Sequence, residues 1–278
     1  MGKAKPDFKR MLLRLPHSAS DYAAVKLIAE LADVLGADLI GSFVEDLDLR
    51  ALVDLPDARE FRAGAWHRID SSQLARDFTS ASHEAERLFL QMAGLSRSSF
   101  RVVESASAAA REAGEDDIIV VIEPKSAVER ATRQFGELLE IANRSTSSIL
   151  WIPSLARRFT GPIVVMASEP EDPCISAAVS IAASVKEKVI LLPAKPHFES
   201  FSEVLQRARA AGVMTSLVDA VFHDDDLLLP PHIKAGLLVA GRERAMRRRN
   251  LLDVPTLFVS ANRPSTASGT TQKRPGTS

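Results

Sequence analysis

The chain has 278 residues, 46% hydrophobic and 26% charged, with 35 basic and 36 acidic side chains. That length allows one large or two smaller domains with real cores, and the near-cancelling charge argues against a global field for nucleic acid or membrane surfaces. The single cysteine, Cys174, excludes an internal disulfide and fits a reducing compartment.

Residues 3–10 are basic, but the apolar run behind them breaks at Arg14 and Pro16, too short for a signal-peptide core. No stretch approaches a membrane span free of charge. The expectation is a cytoplasmic protein. Residues 11–15 read as a first strand ended by Pro16. Ser18 to Asp21 offer caps for a helix whose apolar positions Ala24, Leu27, Ile28, Leu31, Ala32 and Leu35 recur at helical spacing up to Gly36. Residues 39–44 are the second strand, and 45–70, mixed and proline-broken, a long loop with a helical turn. Residues 71–93 form the longest helix, with Leu74, Phe78, Ala81, Ala85, Leu88 and Met92 as its buried stripe. A third strand at 100–103 and a short alanine-rich helix at 105–113 follow.

The run Ile118-Ile119-Val120-Val121-Ile122 is wholly apolar and β-branched, the composition of a strand buried on both faces of a parallel sheet. Glu123-Pro124 stops it. A helical pattern through Val128, Phe135, Leu138, Leu139 and Ile141 leads to a fifth strand at 148–152. Strands alternating with helices mean an α/β fold with a mainly parallel sheet.

After Gly161-Pro162 the pattern restarts: strand 163–167, helix 175–185, strand 189–192, helix 201–211, and strands at 215–218, 235–240 and 256–259. The closing strands rhyme, Ser-Ile-Leu-Trp-Ile against Pro-Thr-Leu-Phe-Val. The offset between matching strands shrinks along the chain, so material is missing from the second copy, mainly an equivalent of the helix 71–93. The reading is two diverged copies of one unit, residues 1–156 and a shortened 161–261. Residues 262–278, rich in Ser, Thr, Pro and Gly, make a disordered tail.

This arrangement resembles the universal stress protein family in its tandem form, by strand order over about residues 9–260 and most closely over 10–46 and 117–152. The resemblance implies two flavodoxin-like, mostly parallel five-stranded sheets with helices on both faces, and pairing of closing strands. One branch of the family binds ATP, with an acidic residue after the first strand and a Gly-x2-Gly-x9-Gly-Ser/Thr loop after the fourth. Here the acidic position aligns with Pro16, and the neighbouring small position with His17; Ser18 alone matches. The first loop glycine falls at Glu123 or Pro124, only Gly136 survives, and Glu137 stands where Ser or Thr belongs. A carboxylate repels phosphate, and Pro124 removes an N–H donor. The expectation is therefore no ATP, no other cofactor and no catalysis.

In the second copy Gly241 follows the fourth strand correctly, but the rest of the loop is absent, and Arg242, Arg244, Arg247, Arg248 and Arg249 follow. One reading is a site for a small anion built from Gly241, Arg242 and Arg244, with Ser168 after the strand 163–167. The other, and the usual one for charge runs, is a solvated helix with a favourable cationic end. His223-Asp224-Asp225-Asp226 reads as a solvated turn before a buried segment rather than a cation site, and no histidine pair has zinc spacing. Cys174 reads as a buried thiol, His83 and Glu84 as polar face, and Trp66 and Trp151 as packing residues.

The function these readings imply is a non-catalytic regulatory or scaffolding module. It would bind a protein partner or a small anionic ligand, without nucleic acid or membrane. Its closing strands 149–152 and 256–259 would cover each other's edges, with homodimerisation left open. The alternative is a nucleotide-dependent switch or weak ATPase.

Overall fold

A computed structural model describes residues 8–15, 22–45, 51, 55, 57–94, 97–154, 156, 159–193, 201–218, 229, 233–243 and 253–260. The expectations at Pro16, His17 and Ser18, at Arg244 and Arg247 to Arg249, at His223 to Asp226 and in the tail 262–278 lie outside them.

The first segment runs β1 (Arg10–Arg14), α1 (Tyr22–Leu35), β2 (Asp38–Val44), β3 (Arg59–Arg62), β4 (Ala65–Arg68), α2 (Ser71–Ala93), β5 (Ser98–Val103), α3 (Ala106–Arg111), β6 (Asp117–Ile122), α4 (Ala127–Arg130), α5 (Arg133–Arg144) and β7 (Ser148–Ile152). The second runs β8 (Ile163–Ala167), α6 (Pro173–Val185), β9 (Val189–Pro193), α7 (Ser202–Ala210), β10 (Thr215–Leu217), β11 (Leu237–Gly241) and β12 (Thr256–Val259). Ten strands form one sheet in the order β10-β9-β8-β11-β12-β7-β6-β1-β2-β5. Read outward from the middle, each segment contributes its own strands in the same order: fifth, fourth, first, second, third. Every neighbouring pair is parallel except the central one, where β12 meets β7 antiparallel with Thr256 opposite Trp151, Leu257 opposite Leu150 and Phe258 opposite Ile149. The second segment therefore keeps five strands.

Successive strand residues feed opposite faces. Ile118, Val120, Leu150, Ile152, Ile163 and Val165 join one core with α1, α2, α6 and α7, while Ile119, Val121, Ile149, Trp151, Val164 and Met166 join a second with α3 and α5. Both cores run across the β7–β12 seam. Among the described residues the helices packed on the second face are α3 and α5 of the first segment. The counterpart of the helix 71–93 is present in the second segment but shorter. α7 follows β9 as α2 follows β2, with 9 residues against 23.

Two glycines allow close approach. A Cβ on Gly41 would come within 2.8–2.9 Å of the Phe89 ring, which seats α2 on β2, and one on Gly236 would come within 2.7 Å of the Phe159 carbonyl. The stripe expected on α2 is buried only at Ala85, to which the structure adds Phe89; no residue of 71–84 is buried. The helix expected through Val128 breaks into α4 and α5, because Thr132 Oγ1 accepts from the Phe135 amide at 3.3 Å and starts a new helix; Val128 is 77% exposed. The span expected as a loop contains the β3–β4 hairpin, closed by a two-residue turn with positive φ at Ala63 (50°) and Gly64 (85°). That is the turn whose twist matches paired strands. No described helix is long and apolar enough to cross a membrane.

Candidate functional site

In a parallel sheet of this order, ligands sit where strands hand over to helices at the carboxyl edge, with free amide donors at the helix start. In the first segment the described groups that follow β6 at this edge bond to one another. The Glu123 amide donates to the Ile152 carbonyl at 2.8 Å, and its carboxylate accepts from the Ser154 amide at 3.4 Å. Arg130 Nη1 lies 3.7 Å from that carboxylate and donates to the Pro124 and Lys125 carbonyls at 3.0 and 3.4 Å. Ser126 Oγ accepts from the Val128 amide at 3.2 Å and Thr132 Oγ1 from the Phe135 amide at 3.3 Å, so each helix start has one amide taken by its own cap. Arg14, at the end of β1, donates to Gln134 Oε1 near the start of α5. Gly136 sits inside α5 with open space where a side chain would go, and Glu137 pairs with Arg133 at 2.7 Å. Glu123 thus lies just after β6, and Gly136 and Glu137 within α5.

In the second segment Ala240 is level with Met166, which brings Gly241 and Ser168 to the same carboxyl edge. The start of α6 already holds an anion: Asp172 accepts from the Ser168 amide at 3.3 Å and from the Cys174 amide at 3.1 Å. A Cβ on Gly241 would run into the Glu243 side chain.

Arg242 does not face this edge as an open fork. It is 9% exposed, and its guanidinium donates to the carbonyl of Ser147, to those of Ala142 and Asn143 at 2.6 and 3.1 Å, and to Ser145 Oγ at 3.5 Å. The antiparallel seam sets the end of β11 beside the start of β7, so the arginine caps the carbonyl end of α5. Burial pushes the guanidinium below its ordinary pKa. A free anion reading of Arg242 would have to break these bonds.

Other residues take structural places. Cys174 is buried and its Sγ donates to the Met166 carbonyl at 3.5 Å. His83 is exposed, 3.8 Å from Glu86. Trp151 packs edge-on to Phe135 at 6.5 Å. Trp66 is not a packing residue: it is 66% exposed. Among the described residues no group of three His, Cys, Asp or Glu is placed to hold a metal.

No family model matches the chain, and no curated protein does. Among solved structures, a universal stress protein from Archaeoglobus fulgidus superposes over 91% of this chain and 97% of its own, with a TM-score of 0.58 and 12% identity. A functionally unknown protein from Pseudomonas aeruginosa PAO1 covers 93% of this chain and 94% of its own, with a TM-score of 0.49 and 17% identity. A putative universal stress protein from Pseudomonas aeruginosa UCBPP-PA14 covers 92% and 94%, again with a TM-score of 0.49 and 17% identity. The Archaeoglobus likeness is one of fold: a mostly parallel α/β sheet with helices on both faces.

Proposed function

We propose that this chain is a tandem, degenerate universal stress protein-like module that catalyses nothing and works by holding a protein partner or a small anionic ligand. The repeated strand order supports a duplicated unit. The observation that carries the reading is the self-closed crossover after β6. Glu123 or Pro124 stands at the first loop glycine, Arg130 is bound to the loop carbonyls, and Ser126 and Thr132 each take one helix-start amide that phosphate could use. On the second segment, Asp172 at the start of α6 and the engaged Arg242 weigh against a small anion. The protein partner is the stronger branch.

The test is a thermal-shift screen of the full chain with ATP, ADP, AMP and cyclic dinucleotides. Silence with all of them is the expected result. A concentration-dependent rise with ATP would overturn the reading and favour a nucleotide-dependent switch. Loss of that rise in Gly241→Asp would put the nucleotide in the second segment.

A further inference from the structure

The β3–β4 hairpin is a two-stranded ribbon on its own, outside the ten-stranded sheet. Arg59 to Phe61 and Ala63 to Arg68 are all exposed, and only Ala58 and Ile69 at its base, joined by a 3.2 Å amide–carbonyl bond, are half-buried. Isolated two-stranded hairpins are marginal in water; a third strand and an apolar face are what they lack.

Directly opposite residues share a face. Phe61 opposes Trp66, and two positions along Arg59 opposes Arg68, so one face carries an aromatic pair beside an arginine pair. The rings lie 5.3 Å apart and are 63% and 66% exposed. Like charges directly opposite each other destabilise a ladder, and no carboxylate pairs with either guanidinium among the described residues. Nothing among the described residues explains this face. It is complementary to an acidic group and an apolar one about 7 Å apart, the distance between alternate residues of an extended strand.

We propose that an extended peptide segment of a partner protein adds to an outer edge of this ribbon. It sets an acidic side chain over Arg59 and Arg68, and an apolar or aromatic one, two residues away, over Phe61 and Trp66. This deepens the partner-binding reading and rests on it. The added strand supplies the missing backbone pairing, and the acid neutralises the arginine pair. A nucleic-acid strand fits less well, because its affinity grows with the number of neutralised phosphates and this face offers two arginines. An anionic membrane needs a basic cluster, and Asp57, Glu60 and Asp70 lie on or beside the ribbon.

The experiment is a fluorescence titration of the full chain carrying Trp151→Phe, which leaves Trp66 as the sole indole reporter. Trp151 Nε1 has no hydrogen-bond partner, so Phe there breaks none. The probe is a short Thr-based peptide with Glu and Phe two residues apart; its control places them side by side, on opposite faces. The probe is expected to shift Trp66 emission to the blue and to saturate. Arg59→Glu combined with Arg68→Glu weakens it about tenfold or more without changing the thermal melt. The control produces no shift. Silence with the probe, binding retained by the double variant, or a shift instead with oligothymidine or phosphatidylserine vesicles overturns the proposal. Probe silence together with nucleotide silence overturns the ribbon site alone, whereas an ATP response overturns the reading beneath it.

Discussion

Arg242 reaches across the seam between the two segments and donates from Nη2 to the Ala142 carbonyl at 2.6 Å. A residue that follows the fourth strand of one segment thereby terminates a helix of the other. Arg242→Ala strands several buried carbonyls, and hydrogen bonds from charged donors contribute about 1.5–3 kcal/mol each at most. The expected loss is about 2–4 kcal/mol of unfolding free energy in urea denaturation, with Lys recovering part, because it offers a charge but no planar fork. A loss under about 0.5 kcal/mol, the range of ordinary surface changes, would show that the cap is idle.

Arg10 and Asp117 pair across β1 and β6 through two contacts of 3.0 and 2.6 Å, and Asp117 also accepts from the Gly114 amide at 2.8 Å. Asp117 is buried while Arg10 is part-exposed, so Arg10→Ala leaves a carboxylate poorly compensated. The expected cost is about 2–3 kcal/mol, below a fully buried pair because solvent reaches the arginine. Replacing both, as Arg10→Met with Asp117→Leu, is expected to cost less than the single change. The hydrogen bond to Asp117 raises the Arg10 pKa, so its contribution is fully present below the ordinary arginine range and is lost only as pH rises through the folded value above it. Denaturation between pH 6 and 9 is therefore expected to show an unchanged wild-type-to-variant difference.

Gly41→Ala drives a methyl group into the ring of Phe89. Overpacking of this kind costs about 1–3 kcal/mol. Phe89→Leu makes room, so the double variant is expected to lose less than the sum of the two single ones. Strict additivity in chemical denaturation would mean that α2 does not bear on β2 at this point.

Asp70 caps α2, accepting from the Ser72 amide at 2.9 Å and the Ser72 hydroxyl at 2.7 Å. Those bonds hold its carboxyl below the usual range. A lowered folded pKa means the cap stabilises above the unfolded value of about 4 and fades as pH falls through the folded one. The Ser72 amide resonance is expected to titrate in that acidic window. In Asp70→Asn it is expected to stay flat, since Asn caps without a proton to gain.

Strands were the legible part of this chain. β6 shows as a short β-branched run and β7 as a short apolar one, each set off by breakers, because both faces of each strand are buried. The hairpin was hidden for two reasons. Its strands, Arg-Glu-Phe-Arg and Ala-Trp-His-Arg, bury none of their described side chains, so no core-facing alternation marks them. Its turn carries Ala63 at a positive φ where Asn or Asp is the usual signal; Gly64 was the one available clue. The site failed differently. Arg242 follows Gly241 as an anion-binding fork would, and its capture by α5 depends on an antiparallel junction that brings residues about a hundred positions apart together. Local spacing holds no trace of that. The break between α4 and α5 was readable in part, because Ser126 and Thr132 are both cap residues, but the apolar Val128 disguised it.

The junction of β7 with β12 has one further effect. In a dimer of identical chains joined about a two-fold axis, any change at the shared edge occurs twice, and the edge must match itself. Here Trp151 faces Thr256 and Ile149 faces Phe258, so the two sides are unlike and a substitution strikes once. Either flank is free to drift without the other following, and the stoichiometry of the two flanks stays fixed at any concentration.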